Sequence, residues 1–176
     1  MIVKSEKAEA AAVMMTANAM CAAARTAPKA RGIDYIETAV ITDTEKGELV
    51  AEMMRLGEAQ DKPSFIRDGK NVELSAAVVL IGTREGKRGL NEACQLCHYE
   101  DCAQCQKADG VCVYDPMDLG IAIGSAVSVA GDARIDNRIM FSIGMAAKSL
   151  GYLGADVTMI MGIPLSTSGK SIFFDR

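Results

Sequence analysis

Five of the six cysteines in this chain of 176 residues lie within nineteen consecutive positions. They occur in the stretch "CQLCHYEDCAQC" and just after it, with the spacing C-x2-C-x4-C-x2-C-x6-C. Thiolates this close together are the ligands that iron–sulfur clusters and structural zinc both require. The sequence therefore predicts a metal centre whose candidate ligands are Cys94, Cys97, Cys102, Cys105 and Cys112.

The spacing of the thiolates favours a cluster over a single ion. Cys97, Cys102 and Cys105 repeat the C-x4-C-x2-C order of plant-type ferredoxins, and Cys94 or Cys112 is close enough to be the fourth ligand. Zinc sites made of two C-x2-C pairs usually separate the pairs by about 12 to 20 residues. Here only four residues separate them. Zinc stays an alternative, as do disulfides or free thiols, and every four-ligand scheme leaves one cysteine over.

Other reactive side chains are scarce. His98 is the only histidine, and we interpret it as a solvated loop residue or a hydrogen-bond donor to cluster sulfur rather than a ligand. Cys21 lies in an alanine-rich helix and is expected to be a small buried hydrophobe. With one histidine, no Ser-His-Asp or Cys-His arrangement stands out, so hydrolysis is disfavoured.

Charge and hydropathy exclude several classes of partner. The net charge of -4 and the pI near 5.1 argue against nucleic-acid binding, which needs a basic face. The N-terminus "MIVKSEKAEA" carries charges where a secretory signal would be apolar, and no apolar run reaches the roughly 20 residues that span a bilayer. We therefore expect a cytoplasmic protein that does not enter a membrane.

Hydrophobic periodicity predicts an α+β domain over residues 1–176. Pro28 is expected to end the first helix, Asp136 to cap the last one and Gly151 to stop it. The predicted helices cover 5–27, 46–60, 119–130 and 137–150, with a short turn at 63–67; the predicted strands cover 32–42, 75–82 and 157–164. This order indicates a single domain with a mixed sheet flanked by helices. A Cys-rich, metal-binding insertion at 94–112 interrupts it, with too few aliphatic residues to fold on a core of its own.

Small residues recur every four positions in "DLGIAIGSAVSVA", at Gly120, Gly124 and Ser128. On a helix they form a flat stripe that another backbone can approach closely. Packing inside the chain and packing against a second copy explain this stripe equally well.

The cysteine stretch, together with "DLGIAIGSAV" and "DNRIMFSIG", resembles a family of uncharacterised bacterial and archaeal proteins that contain a ferredoxin domain. The resemblance covers most of the chain. It implies an iron–sulfur cluster on the cysteines, of the four-iron rather than the two-iron type.

A more distant resemblance is to FMN-dependent nitroreductases. It is carried by "AAARTAPKARG", by "DLGIAIGSAVSVA" and by "MIMGIPLSTSGKSIFFDR". It implies a nitroreductase-like fold and a homodimer with FMN at the subunit interface. It also implies flavin or phosphate contacts from Arg25, Pro28, Lys29, Ala30, Gly162, Pro164 and Lys170. A helix stop followed by a basic turn accounts equally well for "APKARG".

These observations predict a cytoplasmic redox protein that binds an iron–sulfur cluster and acts as an electron carrier, with a redox partner protein, or as a flavin-dependent oxidoreductase. One alternative is a binding or structural module in which zinc staples the insertion. A second is a metal or redox sensor whose cysteines switch between ligated and disulfide forms.

Overall fold

The computed structural model describes residues 1–174, so Asp175 and Arg176, the end of the C-terminal tail, lie outside the described part of the chain. Within it there are six α-helices and four β-strands. The helices are α1 (Ser5–Thr26), α2 (Asp43–Ala59), α3 (Pro63–Leu74), α4 (Cys102–Lys107), α5 (Tyr114–Asp132) and α6 (Phe141–Leu150). The strands are β1 (Ile36–Ile41), β2 (Ala77–Arg84), β3 (Asp136–Asn137) and β4 (Val157–Ser166). Short 3-10 turns lie at Ala30–Gly32 and Asn91–Ala93.

The four strands form one sheet in the order β1-β2-β4-β3. All three pairings among residues 1–174 are antiparallel, so the α+β class and the flanking helices are confirmed while the sheet is not mixed in direction. The connection from β1 to β2 holds two helices, α2 and α3, rather than one. One helix would run back along the sheet, so that the next strand would be parallel to β1. A second helix reverses the chain again, and β2 is therefore antiparallel to β1.

Strand β2 lies in the middle of the sheet and is buried on both faces, as its unbroken apolar sequence predicts. Its side chains alternate between two hydrophobic clusters. Val79 and Ile81 join the cluster formed with α1 and α5, while Val78 and Leu80 join the one formed with α2 and α6. Because neighbouring side chains of a strand point to opposite faces, one strand holds the two helical layers together.

Helix α1 forms as expected from its alanine-rich sequence and ends at Thr26, ahead of Pro28. Its buried residues recur at helical spacing against the sheet and α5. They are Val13, Thr16, Ala17, Met20 and Ala24. The amine of Lys29 caps the end of the helix by donating to the carbonyl oxygens of Ala24 and Arg25.

Helix α3 is longer than predicted. The sequence indicated a short turn followed by a loop at 68–71, but the helix continues to Leu74. The missing side chain of Gly69 lets α2 approach, since a Cβ there would come within 3.1 Å of Met54. Asp68 is buried and accepts a hydrogen bond of 2.6 Å from Ser142 of α6. These tertiary contacts outweigh the weak helix propensity of glycine and asparagine.

Two predicted boundaries are wrong. Strand β1 begins at Ile36 because Gly32 ends a 3-10 turn with φ of 68°. Asp136 does not cap a helix: it pairs with Ser166 as part of β3, and α6 begins only at Phe141. Gly151 stops α6 in the left-handed conformation, as predicted.

Helix α5 is longer than the predicted 119–130, and its small-residue stripe faces outward. Gly120, Gly124 and Ser128 are exposed, and a Cβ built on either glycine would meet no atom within 4 Å. The opposite face packs into the α1 cluster through Leu119, Ala122, Ile123, Ala126 and Ala130. Intramolecular packing therefore does not account for the stripe.

Residues 85–113, here called the cysteine segment, join β2 to α5. The segment contains α4 and one 3-10 turn, and it contributes no residue to either hydrophobic cluster. It is thus attached to the scaffold at its two ends rather than through a shared core. No helix in residues 1–174 has the length and hydropathy needed to cross a membrane.

Candidate metal centre

Four of the predicted ligands surround one small cavity in the cysteine segment. Cys94, Cys97, Cys102 and Cys112 all line it, beside Arg88, Tyr99 and Tyr114. Cys94 follows the 3-10 turn, and Cys102 opens α4, where the Asp101 carboxylate caps the helix by accepting from the Gln104 N–H at 2.7 Å. Cys112 lies just before α5. Separate local structures thus converge on the cavity.

Cys105 is next to this cavity but does not line it. The residue is buried in α4, and its thiol donates to the carbonyl oxygen of Gly110 at 3.3 Å. Burial, together with hydrogen bonding to Cys97, raises the pKa of the Cys105 thiol, which the charge of Lys87 partly offsets. All six cysteines are free thiols, so the segment is not held by disulfides.

Tight turns of the backbone bring the cysteines together. Asn91, Gln95, His98 and Asp109 adopt left-handed φ angles between 47° and 65°, which non-glycine residues adopt infrequently. His98 is exposed and does not line the cysteine cavity. This placement agrees with its interpretation as a loop residue. Cys21 is partly buried against the α1 cluster, and burial raises the pKa of its thiol.

Arg88 forms the wall of the cavity that faces the scaffold. Its side chain is buried and pairs with Asp115 at 2.9 Å and Asp118 at 2.8 Å, both near the start of α5. The guanidinium also lies 4.7 Å from the ring centre of Tyr35. Burial opposes its charge, but hydrogen bonds and charges from the two carboxylates outweigh burial and raise the pKa of Arg88.

The two carboxylates also bind backbone groups from other parts of the chain. Asp118 accepts from the Ala30 N–H at 3.1 Å, and Asp115 accepts from the Gly86 N–H at 3.2 Å. Sequence analysis did not predict the contacts of Arg88 with Asp115 and Asp118. Nothing in "TREGKRGL" distinguishes Arg88, which is buried, from the charged residues around it. The acidic residues in "YDPMD", directly before the apolar helix, were the only available signal.

Tyr114 is a second polar side chain of the cavity that interacts with a cysteine. The charge of Cys94, followed by burial and a hydrogen bond to the same thiol, raises the pKa of the Tyr114 hydroxyl. A phenol that donates to a thiolate stabilises the negative charge on sulfur. The cavity therefore has donors on two sides, Tyr114 and Arg88.

The four thiols that line the cavity suit an iron–sulfur cluster, and zinc would accept the same donor set. No three His, Cys, Asp or Glu side chains within residues 1–174 are positioned to hold one metal ion. Zinc with Zn–S bonds of about 2.3 Å would need sulfurs about 3.8 Å apart. A cluster instead places its own iron and sulfide between more widely spaced thiolates. The cavity of about 20 Å³ has room for about one water molecule, so the loops must separate to admit a cluster.

The residues expected to contact flavin are not gathered at one place. At the end of α1, Arg25 pairs with Asp34 at 2.7 Å and Lys29 is used as the helix cap. Burial lowers the pKa of the Lys29 amine. The Ala30 N–H is taken by Asp118, and Pro28 is exposed beside it. These groups already have partners other than a phosphate.

The remaining members of the flavin set lie elsewhere. Gly162 and Pro164 are buried in β4 on the face that packs against α6, where a Cβ on Gly162 would meet Ile143 at 2.0 Å. Lys170 is exposed in the C-terminal tail. Because α1 packs on the other face of the sheet, one chain does not assemble these residues into a flavin site.

Comparison with solved structures places the fold among nitroreductases. A nitroreductase of Lactococcus lactis, CinD, solved with nicotinic acid, aligns with a TM-score of 0.58 at 15% identity, over 99% of this chain and 86% of that one. An NADPH:FMN oxidoreductase of Vibrio harveyi, solved with NAD+, aligns with a TM-score of 0.52 at 10% identity, over 97% of this chain. This chain spans only 63% of that enzyme's length. At such identities the likeness shows the fold alone, and it confirms the predicted nitroreductase-like architecture.

Sequence comparison gives the family. Residues 108–176 match the family described as "Uncharacterized protein containing a ferredoxin domain (DUF2148)", a match that includes Cys112 but begins after the other clustered cysteines. A protein of Archaeoglobus fulgidus, described as uncharacterized, is 44% identical over 172 residues, which cover 93% of this chain and 91% of that protein. As the first resemblance predicted, the chain belongs to the family of uncharacterized proteins that contain a ferredoxin domain.

Proposed function

We propose that this protein carries electrons on an iron–sulfur cluster held by the cysteine segment. The observation that carries the proposal is the convergence of four free thiols on one cavity, with a fifth beside it. The family's ferredoxin domain and the nitroreductase-like fold support a redox function. Free thiols in such number suit a reducing compartment, so the proposed location is the cytoplasm.

The proposed cluster is of the four-iron type, with Cys94, Cys97, Cys102 and Cys112 as ligands. These four line the cavity, whereas Cys105 points its thiol to the Gly110 carbonyl. Spacing alone had grouped Cys105 with Cys97 and Cys102, so this assignment changes which cysteine is spare. When bound, such a cluster supplies one-electron exchange at a potential set by its charge, hydrogen bonds and exposure.

The chain's own residues suit exchange with another protein. Cys94, Cys97 and Cys102 are partly exposed, so the centre lies near the surface where a redox partner can approach. The scattered flavin set gives no support to a second cofactor in one chain. The resemblance to nitroreductases puts FMN between two subunits, and a yellow, flavin-like spectrum of the purified dimer would add an oxidoreductase activity to the electron carrier proposed here.

Anaerobic reconstitution tests the proposal. We expect four iron and four sulfide per chain, a brown absorbance and a paramagnetic signal after reduction. Cys94→Ser should lose most of the iron, while Cys105→Ser and the matched control Cys21→Ser should retain it. Protein that binds neither iron nor sulfide would refute the cluster, and one zinc without iron would replace it with a zinc-stapled module.

We further propose that the chain forms a homodimer through the outer face of α5. Met117 and Ile121 are exposed beside the small-residue stripe, and no charged residue interrupts this face between Tyr114 and Gly131. Solvent-exposed helix faces are normally charged, so an uncharged one indicates a partner. Light scattering should give twice the chain mass, and Gly124→Arg should give the mass of one chain. Wild-type protein that is monomeric at high micromolar concentration would contradict the dimer.

A further inference from the structure

We infer that Arg88 donates a hydrogen bond from Nε to the cluster and supplies the fixed positive charge that sets its reduction potential. This inference rests on the proposed function, since it needs a cluster in the cavity. It assigns a role to a residue outside the cysteine pattern.

The hydrogen bonds of Arg88 leave one donor over. Nη1 donates to the Gly86 carbonyl at 2.6 Å and to Asp115, and Nη2 donates to Asp118. Nε is buried and has no partner among residues 1–174. The side chain is only 1% exposed, so bulk solvent does not reach this N–H. A buried donor of a charged group without an acceptor is costly, and residues 1–174 provide none.

The guanidinium has no freedom to turn Nε elsewhere. Its planar fork is fixed at both Nη atoms by two carboxylates from one helix, and the ring of Tyr35 covers it at 4.7 Å. The same residue lines the cavity together with four cysteines. Because Arg88 lines this cavity, the acceptor that we propose for Nε is a sulfur there, either a cysteine thiolate or an inorganic sulfide of the cluster.

A donor and a positive charge at this position favour the reduced cluster. Reduction adds one negative charge, and hydrogen bonds to cluster sulfur stabilise it. Asp115 and Asp118 oppose this effect in part, because they bring two negative charges against the single positive charge of Arg88. The reduction potential of the cluster should therefore fall when Arg88 is replaced and rise when the charge of Asp118 is removed.

Redox titration with paramagnetic detection measures the reduction potential of the cluster in reconstituted protein. Arg88→Lys keeps a charge but loses the fixed Nε–H, and should shift the reduction equilibrium about tenfold toward the oxidised state, about 59 mV for one electron. Asp118→Asn should shift it in the other direction. Arg84→Lys is the matched control, since Arg84 also has a buried unpartnered Nε but does not line the cavity.

A direct readout uses wild-type protein with arginine labelled with ¹⁵N at Nε. A hydrogen bond to cluster sulfur should give a ¹⁵N hyperfine coupling in pulsed electron paramagnetic resonance of the reduced cluster. The coupling should persist in Arg84→Lys and vanish in Arg88→Lys. If Arg88→Lys does not fold, the wild-type coupling still assigns the donor, because Arg88 is the only arginine among residues 1–174 that lines the cavity.

The outcomes separate the two claims. Wild-type protein that holds no iron and sulfide refutes the proposed function, and the role of Arg88 with it. A cluster that forms normally but shows no ¹⁵N coupling and an unchanged potential in folded Arg88→Lys refutes the role of Arg88 alone.

Discussion

At Gly144, one hydrogen atom in place of a side chain allows α6 to lie directly on β4. A Cβ built there would be 1.7 Å from the carbonyl oxygen of Ile160. We predict that Gly144→Ala lowers the free energy of unfolding by about 3 kcal/mol, because backbone must move to relieve the overlap. Urea denaturation followed by circular dichroism measures this change.

Gly47 provides the matched control for that substitution. It lies on the exposed face of α2, and a Cβ there would meet nothing within 4 Å. Gly47→Ala should therefore stabilise the fold by about 0.5–1 kcal/mol, since alanine loses less conformational freedom in a helix. Equal effects of the two substitutions would show that crowding at Ile160 is not what requires glycine at position 144.

Asp68 is a buried carboxylate that joins α3 to α6. Its Oδ2 accepts from the Ser142 hydroxyl at 2.6 Å, in a part of the molecule closed to water. Ser142→Ala leaves that oxygen without its donor and should cost about 1–3 kcal/mol. Ser64→Ala, at an exposed position of α3, should change the free energy of unfolding by less than about 0.5 kcal/mol. Similar losses from both would contradict this account.

Single residues also show what sequence could supply. Closely spaced cysteines indicate a metal centre, so the candidate ligands could be predicted from the sequence alone. Arg88 was not, since burial of one arginine among several depends on where the start of α5 places two carboxylates. Residue type and spacing do not show that Arg88 contacts these two carboxylates.

Between elements, Glu52 joins α2 to α6. Its carboxylate binds Arg55 on its own helix and accepts from the Ser149 hydroxyl at 2.6 Å. These hydrogen bonds, from Arg55 first and Ser149 second, lower the pKa of Glu52 from 4.5 to about 2. A carboxyl whose pKa is lower in the folded chain adds stability above the unfolded value, and this stability is lost as pH falls toward the folded value.

We therefore predict that Glu52→Gln costs about 1 kcal/mol at pH 7, a value reduced for the solvent screening of the exposed Arg55. The difference between variant and wild type should shrink as pH falls from about 5 to about 2. Glu58→Gln on the same helix is the control. Chemical denaturation at several pH values measures both, and a difference that stays constant over this range would contradict the role of the carboxylate.

The element boundaries show where local sequence information ends. Helix α1, strand β2, strand β4 and the stop at Gly151 followed from periodicity and turn chemistry. The second half of α3 did not, because glycine and asparagine there are held helical by contacts with α2 and α6. Asp136 likewise reads locally as a helix cap, and only its pairing with β4 makes it a strand residue.

For the whole molecule, the cysteine segment should behave independently of the scaffold. Since neither hydrophobic cluster includes any of its residues, loss of the metal centre should leave the thermal transition of the helices nearly unchanged. Limited proteolysis of metal-free protein should cut first between Cys94 and Gly110, and reconstitution should protect these bonds. Cleavage that begins in α2 or α3, or a transition that collapses without metal, would contradict this independence.

The two ends of the cysteine segment meet at the pair between Arg88 and Asp115. This pair closes the loop at its base, so the scaffold fixes the distance between the ends whatever conformation the intervening chain adopts. A protein engineer could therefore lengthen, shorten or replace residues 89–111 with little loop-closure penalty. The same geometry would allow evolution to exchange one metal-binding sequence for another while the scaffold stays unaltered.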